Sequence, residues 1–545
     1  MDETLIATAR DWVAQDPDEQ TAAELQALLD AAVAGDADAQ AELADAFDGT
    51  LQFGTAGLRG RLGPGSNRMN RVVVARAAAG LAQYLVDTGG KAVVIGYDAR
   101  RNSDVFAHDT ARIMAGAGIA AMVLPQALPT PVLAFAIREL GCDAGVMVTA
   151  SHNPPDDNGY KVYLGDGSQI VPPADAEISA CIAAVGPIGD IPRSDDYNTL
   201  DGGVLDAYTA RAVSLLGDGP RDVNAVYTAM HGVGGDVFMR VVEEAGFTTP
   251  EPVAKQFEPD GRFPTVNFPN PEEPGAMDLS LEAARAVDAD VIIANDPDAD
   301  RCAAGIRHGG DYRMLTGDEV GALLGWWIGG KPRDGEGTYA QSIVSGSLLK
   351  SIAGGAGMGY ATTLTGFKWI SKVPSLRFGY EEALGYCVDP AAVKDKDGIT
   401  ASLLMLEMVA SLKAEGRDIQ DVLDDIAREY GLHVTSQVSV RVADISLIAD
   451  AMARLRAQPP TELGGRPVIG FDDLEQGVDG LPPTDGLRFT MDGARVIIRP
   501  SGTEPKLKCY LQVVVPVDGD LDAARDVANA EMAALRDSVS QALGL

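Results

Sequence analysis

Ser151 stands in the run Thr149-Ala150-Ser151-His152-Asn153-Pro154-Pro155, directly after the apolar stretch Gly145 to Val148, and Asn158-Gly159-Tyr160-Lys161 follows. In open α/β sheets ligands gather beyond the carboxyl ends of strands, so the Ser151 hydroxyl is where a reacting group is expected, with His152 beside it. The two prolines hold the segment extended after the serine, and Asn158-Gly159 makes a turn that returns Lys161 toward it. A Ser-His pair also suits an ST turn or a helix cap, so this loop alone leaves both readings open. A second loop, Asp296-Pro297-Asp298-Ala299-Asp300-Arg301, follows the apolar stretch Val291 to Ala294. Its alternate carboxylates, turned to one side, supply the hard oxygen ligands that Mg²⁺ prefers, and Arg301 is a partner for phosphate or hydroxyl. A calcium loop would need Gly and Glu where Arg301 and Arg307 stand.

Three further loops carry polar groups suited to an anionic, hydroxyl-rich ligand. Thr365-Gly366-Phe367-Lys368, Gly379-Tyr380-Glu381-Glu382-Ala383-Leu384-Gly385 and Lys394-Asp395-Lys396-Asp397-Gly398 offer carboxylates for sugar hydroxyls and lysines for phosphate. Charged surface turns have the same composition. Arg499-Pro500-Ser501-Gly502-Thr503 offers guanidinium, hydroxyl and backbone N–H donors to one anion, or a polar hairpin turn. Phe53-Gly54-Thr55-Ala56-Gly57-Leu58-Arg59-Gly60 resembles it, with Arg59 as the charge.

The elements that must hold these loops are legible as short β-branched runs alternating with Ala-rich helical stretches. Ala92 to Ile95, Ala121 to Leu124, Gly145 to Val148, Val226 to Ala229, Val291 to Ala294 and Thr338 to Val344 read as strands of largely buried sheets covered by helices. Residues 1–48 read as a helical lead-in whose role is packing, with Leu25, Leu28, Leu29 and Val33 at helical spacing. Pro/Gly-rich or polar breaks divide the rest into α/β units at 49–200, 201–308 and 309–430 and a C-terminal α+β unit at 431–545. In the last unit Gln437 to Val442, Arg488 to Met491, Arg495 to Ile498 and Cys509 to Val515 read as strands.

At 545 residues the chain is too long for one hydrophobic core. Its net charge of −35 repels nucleic acid and anionic membranes, so neither is expected as a partner, and any phosphate site must be built from local cations and backbone N–H groups. Five scattered cysteines without paired metal-ligand spacing, an N-terminus without a basic start and apolar stretch, and no long apolar span point to the cytoplasm. The five histidines form no close pair of the kind two-metal phosphatases use.

Taken together and in this order, the Thr-Ala-Ser-His-Asn-Pro, Asp-Pro-Asp-Ala-Asp-Arg, Tyr-Glu-Glu-Ala and Arg499 to Thr503 loops resemble those of the α-D-phosphohexomutase superfamily, specifically its long phosphoglucomutase and phosphomannomutase branch. The resemblance runs from Phe53 to Tyr510. It implies four domains around a central cleft, three of them related α/β units, and reversible phosphoryl transfer between two hydroxyls of a sugar phosphate by way of a phosphoserine and a bisphosphorylated sugar. It implies that Ser151 carries the phosphoryl group and that Asp296, Asp298 and Asp300 bind one Mg²⁺ with a phosphoserine oxygen. Arg59, His152 and Lys161 then assist transfer, Lys161 as the acid/base. Glu381 contacts sugar hydroxyls, Thr365 and Gly366 choose the sugar beside Lys368 and Arg301, and Lys396, Arg499, Ser501, Gly502 and Thr503 hold the idle phosphate. Glucose 1-phosphate is the expected substrate and glucose 1,6-bisphosphate the activator, with a monomer or small homo-oligomer as the working form. Ala383 stands where many relatives have Ser, and the family's long members with Glu-Glu-Ala include enzymes for pentose phosphates and for glucose 1,6-bisphosphate synthesis, so the alternatives are a phosphomannomutase or phosphopentomutase with the same mechanism, or a catalytically silent sensor.

Overall fold

The computed structural model describes residues 2–53, 57–331, 336–442, 446–501 and 506–544. Gly54 to Ala56 of the Arg59 motif, and Gly502 and Thr503, lie outside them. The chain groups into two compact units, Met1–Arg313 with Asp389–Ser411, and Met314–Val388 with Leu412–Leu545.

The first unit begins with helices α1 (Glu3–Gln15), α2 (Glu19–Val33) and α3 (Ala37–Ala46), capped by Asp2, Asp18 and Asp36, whose carboxylates accept from the first-turn N–H groups. Trp12, Leu25, Leu29 and Leu43 are buried in the same core as Leu58, Val72 and Ile95, so the lead-in packs as the sequence suggested. Val33 does not join them. At 54 % exposed it lies on the open side, and Ala32 takes the last buried position of α2 in its place.

Strands β1 (Gly57–Arg61), β2 (Ala92–Tyr97), β3 (Ala120–Val123), β4 (Ala144–Val148), β5 (Asp157–Leu164) and β6 (Asn198–Thr199) form one sheet in the order β1-β5-β4-β2-β3-β6. A second sheet follows the order β11-β10-β9-β7-β8, from β7 (Ala225–Thr228), β8 (Glu251–Pro252), β9 (Val291–Asn295), β10 (Cys302–His308) and β11 (Asp311–Met314). β4 and β9 are buried along their whole length, as strands covered on both faces must be.

The second unit contains β12 (Thr338–Ser342), β13 (Gly359–Thr363), β14 (Leu376–Glu381) and β15 (Gly385–Cys387), ordered β13-β12-β14-β15. It also holds an antiparallel sheet of β16 (Leu432–Arg441), β17 (Glu462–Leu463), β18 (Arg466–Asp473), β19 (Leu487–Met491), β20 (Ala494–Pro500) and β21 (Lys506–Val515), against which the helix Leu521–Leu543 packs. The architecture is therefore three α/β units and a C-terminal α+β unit.

The first three sheets repeat one plan. In each, a leading strand (β2, β7 or β12) is flanked in parallel by the next two strands, and the last of these pairs antiparallel with a fourth (β5, β10 or β15). The Ser151, Asp296 to Arg301 and Glu382 to Leu384 loops occupy the same third-to-fourth strand connection. Each contains one non-glycine residue in the left-handed region, Ser151 (φ 53°), Ala299 (φ 54°) and Leu384 (φ 63°). Such a residue costs about 1–2 kcal/mol, which the surrounding sheet must offset.

Within the second unit, His433 of β16 faces Gln512 of β21 and Ser347, with Nδ1 3.0 Å from Gln512 Nε2 and 3.4 Å from Ser347 Oγ. Burial, with Arg495 adding repulsion, pushes its imidazole down to about 4 from the ordinary 6.5, against a backbone hydrogen bond to Tyr430. The unfolded chain then binds more protons between these values, so this group's share of stability is complete above pH 6.5 and is lost as pH falls toward 4. That share is about 3 kcal/mol at most. We expect His433→Gln to flatten the acid side of the melting profile in this window; melting curves of the two proteins that stay parallel from pH 7 to pH 4 would contradict it.

Candidate active site

The Ser151 loop is a tight reversal. Asn153 N–H donates to the Ala150 carbonyl, Asp157 N–H to that of Pro154, and Ser151 N–H to Thr149 Oγ1. The prolines therefore sit in turns and do not extend the segment. Asn158 and Gly159 form no turn either but lie in β5, with Gly159 opposite Arg59 of β1. A Cβ on Gly159 would sit 2.4 Å from the Thr149 carbonyl oxygen and 3.0 Å from that of Leu58, so glycine is there for close approach between strands. β5 then carries Lys161, buried, back toward the carboxylates.

A residue not singled out from the sequence fixes this loop. Arg100 is buried, and its guanidinium donates to four carbonyls, those of Ser151 (2.5 Å), Asn153 (2.6 Å), Pro154 (2.7 Å) and Asp157 (3.0 Å). It lies 4.9 Å from the Phe263 ring centroid and pairs with buried Asp98. Charge-assisted bonds to one rigid fork hold a backbone whose serine sits in an unfavourable region. Its position just beyond the carboxyl end of β2 was the available signal.

Asp296, Asp298 and Asp300 are fully buried, and one oxygen from each lies within 4.8 Å of the others. They converge through a turn closed by Ala299 N–H on the Asp296 carbonyl, not through strand alternation. Ser151 Oγ donates to Asp296 Oδ2 at 2.9 Å and stands 3.3 Å from His152 Nδ1. Thr130, at the start of the helix Thr130–Glu139, donates Oγ1 to Asp298 Oδ2 at 2.6 Å and its N–H to the Asp298 carbonyl, a second contact unseen from sequence. Lys161 Nζ bridges Asp298 (2.7 Å) and Asp300 (2.9 Å), and Lys396 Nζ lies 3.1 Å from Asp300. Arg301 N–H caps Asp296 Oδ1, and Arg59 donates to the Asn153 side chain.

These contacts divide the three carboxyls. Burial and the two neighbouring carboxylates push Asp296 well up. Burial also acts on Asp298 and Asp300, but Lys161, with Thr130 at one and Lys396 and Arg301 at the other, holds both below the ordinary carboxylate value. Lys161 is itself raised, since the two carboxylates outweigh its burial. Asp298 Oδ1 and Asp300 Oδ1 are buried without a hydrogen-bond partner, which is what oxygens reserved for a cation look like. The cluster can hold a metal ion.

Two glycines clamp the acidic loop. Gly398 N–H donates to the Ala299 carbonyl, and a Cβ there would lie 2.2 Å from the Arg301 oxygen. Val233 N–H donates to the Pro297 carbonyl, and a Cβ on the neighbouring Gly232 would lie 2.3 Å from Pro297 Cα. Gly232→Ala must displace the loop, so we expect it to cost about 1–3 kcal/mol and weaken divalent-ion binding by about tenfold or more. Metal-dependent shifts in melting temperature read both effects, and an unchanged shift would refute the clamp.

The first unit thus gathers Arg59, Ser151, His152, Lys161, Asp296, Asp298, Asp300, Arg301 and Lys396. Within this unit Lys396 pairs with Asp300 and Asp395. Its neighbour Asp395 accepts from Tyr163 (2.7 Å) and Gln169 (2.8 Å), which anchors it to the Ser151 sheet. Thr365, Gly366, Lys368, Glu381, Arg499 and Ser501 lie in the second unit. There Gly366 precedes the short helix Phe367–Ile370, buried Lys368 sits 5.2 Å from the Trp369 ring, Glu381 ends β14, and Arg499 stands near the end of β20 before Ser501, whose N–H bonds the Lys506 carbonyl.

Four family models match in succession. Domain I of phosphoglucomutase/phosphomannomutase, an alpha/beta/alpha domain, covers residues 50–187, domain II 206–309, domain III 316–430 and the C-terminal domain 438–531. A probable phosphomannomutase of Haemophilus influenzae is 51% identical over 81% of this chain and 92% of its own length. A phosphoglucomutase of Staphylococcus epidermidis is 36% identical (87% and 92%), and the human phosphopentomutase 34% (87% of each). A phosphoglucomutase/phosphomannomutase family protein of Burkholderia thailandensis shares the fold, with a TM-score of 0.68, 21% identity and coverage of 88% of this chain and 97% of its own. With the Ser151, Asp296 to Arg301 and Glu382 to Leu384 loops in one recurring connection and all four domain models matched in order, the chain belongs to the phosphoglucomutase/phosphomannomutase family of phosphosugar mutases.

Proposed function

We propose that the chain interconverts glucose 1-phosphate and glucose 6-phosphate, with Ser151 Oγ carrying the phosphoryl group and glucose 1,6-bisphosphate as intermediate and activator. The observation that carries this reading is the Ser151 hydroxyl, 2.9 Å from Asp296 at the edge of a buried cluster of three carboxylates. Asp296, Asp298 and Asp300 would hold Mg²⁺, which supplies positive charge for the oxygens of the transferring group. Arg100 fixes the loop so that the serine oxygen needs no search. Lys161, kept protonated by its two carboxylates, gives a proton to Ser151 Oγ as the phosphoryl group leaves. The sugar hydroxyl that accepts the group passes its proton back to Lys161, so the exchange balances. Arg59, His152 and Arg301 add charge and donors around the transferring group.

Glu381, Thr365, Gly366 and Lys368 would read the sugar, and Lys396, Arg499, Ser501, Gly502 and Thr503 would hold the phosphate that is not reacting. The division at residues 200, 308 and 430 then gives each domain one loop. Five free cysteines support a reducing, cytoplasmic setting, and among the described residues no helix is long and apolar enough to cross a membrane.

Mannose is the second reading, favoured by the name of the relative that is 51% identical. The test is turnover of glucose, mannose and ribose 1-phosphates with Mg²⁺ and trace glucose 1,6-bisphosphate. Glucose 1-phosphate is expected to give the highest kcat/KM. A tenfold advantage for another sugar would reassign the substrate, phosphate release as fast as isomerisation would make the chain a hydrolase, and binding of all three without turnover would make it a sensor.

A further inference from the structure

Two ligand loops of the second unit, the Glu381 hairpin and the Arg499 strand end, are joined by partly buried hydrogen bonds through the segment Ser342 to Ser347. Glu382, the residue after Glu381, is half-buried, with its carboxyl set among polar partners. Its Oε2 accepts from Ser342 Oγ (3.0 Å) and Ser345 Oγ (2.9 Å), and its own N–H donates back to Ser345 Oγ (3.1 Å), a two-point clasp. The carbonyl of the same Ser345 accepts from Arg495 at 2.5 Å. Arg495 is a residue of β20, four positions before Arg499 on the same strand. Asp318 closes the network, accepting from Gly346 N–H (2.7 Å) and Tyr380 Oη (2.8 Å) and lying close enough to Arg495 to favour its charge.

Packing leaves this connection little slack. A Cβ on Gly317 would fall 1.8 Å from the Glu382 carbonyl oxygen, so the helix Gly317–Gly330 begins directly against the hairpin. Ile343 and Val344 form one apolar cluster with Ile497 and Tyr510 of the antiparallel sheet. Burial, with Glu381 and Asp318 nearby, pushes the Glu382 carboxyl up to about 7, so near neutrality it can keep its proton and sit in this cluster without a counter-charge.

We propose that Glu382 is a positioning residue for sugar-phosphate recognition, holding the Glu381 hairpin in register with the Arg499 strand through Ser345 and Arg495. It touches no ligand itself. The consequence is that sugar hydroxyls and the idle phosphate are read as one spacing, so ligands carrying both groups gain from the connection and phosphate alone does not. This rests on the reading of Glu381 as the sugar contact and Arg499 as the phosphate contact.

The experiment is calorimetric binding of glucose 6-phosphate and of inorganic phosphate to the full chain, with kcat and KM alongside. The variants are Glu382→Ala, Glu382→Gln, Ser345→Ala, Arg495→Met and the pair Glu382→Ala with Arg495→Met. Glu382→Ala and Arg495→Met should each weaken glucose 6-phosphate by about 10- to 100-fold, the effect of a contact misplaced by about an ångström, and leave inorganic phosphate within about twofold. The pair should lose little more than either single variant, because both break one connection. Glu382→Gln, which keeps an acceptor for both serine hydroxyls, should restore most of the affinity. Additive losses in the pair, or equal losses for the two ligands, would overturn the proposal. Should the alanine variant not fold, Ser345→Ala carries the same expectation and Glu382→Gln the same rescue. Glu381→Ala tests the underlying reading separately. Unchanged glucose 6-phosphate binding there removes Glu381 as the sugar contact, whereas a loss there with none at Glu382 refutes the positioning role alone.

Discussion

Ser151→Ala is expected to abolish sugar-phosphate turnover, by about 10⁵-fold or more, while leaving the fold intact, since an enzyme that works through a covalent intermediate has no slower path once the nucleophile is gone. The structural cost is small. One hydrogen bond to Asp296 is lost, worth about 1 kcal/mol, and Arg100 binds the backbone carbonyl of residue 151 whatever its side chain. Because Ser151 has φ 53°, Ser151→Gly relaxes the turn and should melt no lower than Ser151→Ala, yet it must be equally inactive. The measurements are turnover of glucose 1-phosphate, phosphoryl incorporation from labelled glucose 1,6-bisphosphate, and melting temperature. Incorporation at another residue, or turnover within a hundredfold of the native protein, would remove Ser151 from its proposed role.

Much of the scaffold was legible because its signals are local. Ala92 to Ile95, Gly145 to Val148 and Val291 to Ala294 are apolar runs of strand length followed by polar loops, and each is a strand. The acidic loop was legible too, since three carboxylates within five residues have few other uses. What escaped was set by tertiary contact. The place of Arg100 just beyond the carboxyl end of β2 points to a site, but nothing local shows that it binds four loop carbonyls, because its acceptors lie more than fifty positions along the chain. Thr130 is likewise an ordinary helix start until it meets Asp298. Gly159 looked like turn chemistry because Asn-Gly commonly makes turns, but strand crowding at Thr149 and Leu58 was the stronger demand. The recurring plan of the first three sheets is also invisible to residue spacing. It appears only when strand pairing shows Ser151, Ala299 and Leu384 in equivalent connections, each in a left-handed conformation.

Lys161→Met is expected to be both inactive and unstable, and the pH dependence of its instability separates charge from packing. Lys161 is buried and pairs at 2.7 Å and 2.9 Å with two carboxylates that have no exposure of their own. Methionine fills similar space, so the loss is electrostatic. Removing the lysine charge leaves Asp298 with Thr130, Arg59 and Arg100 near it, and Asp300 with Lys396, Arg301 and Arg59, and costs about 3–5 kcal/mol. In the native protein both carboxyls are held below the ordinary 3.8, so they contribute stability above that value and lose it as pH falls through their lower folded values. Without Lys161, burial dominates and their folded values rise, which reverses the sign. Stability is then retained in acid and lost as pH climbs from about 4 through the raised values. The melting deficit of the variant should therefore be small near pH 4 and full at pH 7 to 8, and millimolar Mg²⁺ should recover more of it than it adds to the native protein. A deficit of equal size at both pH values would mean that packing, not the lysine charge, holds the acidic loop together.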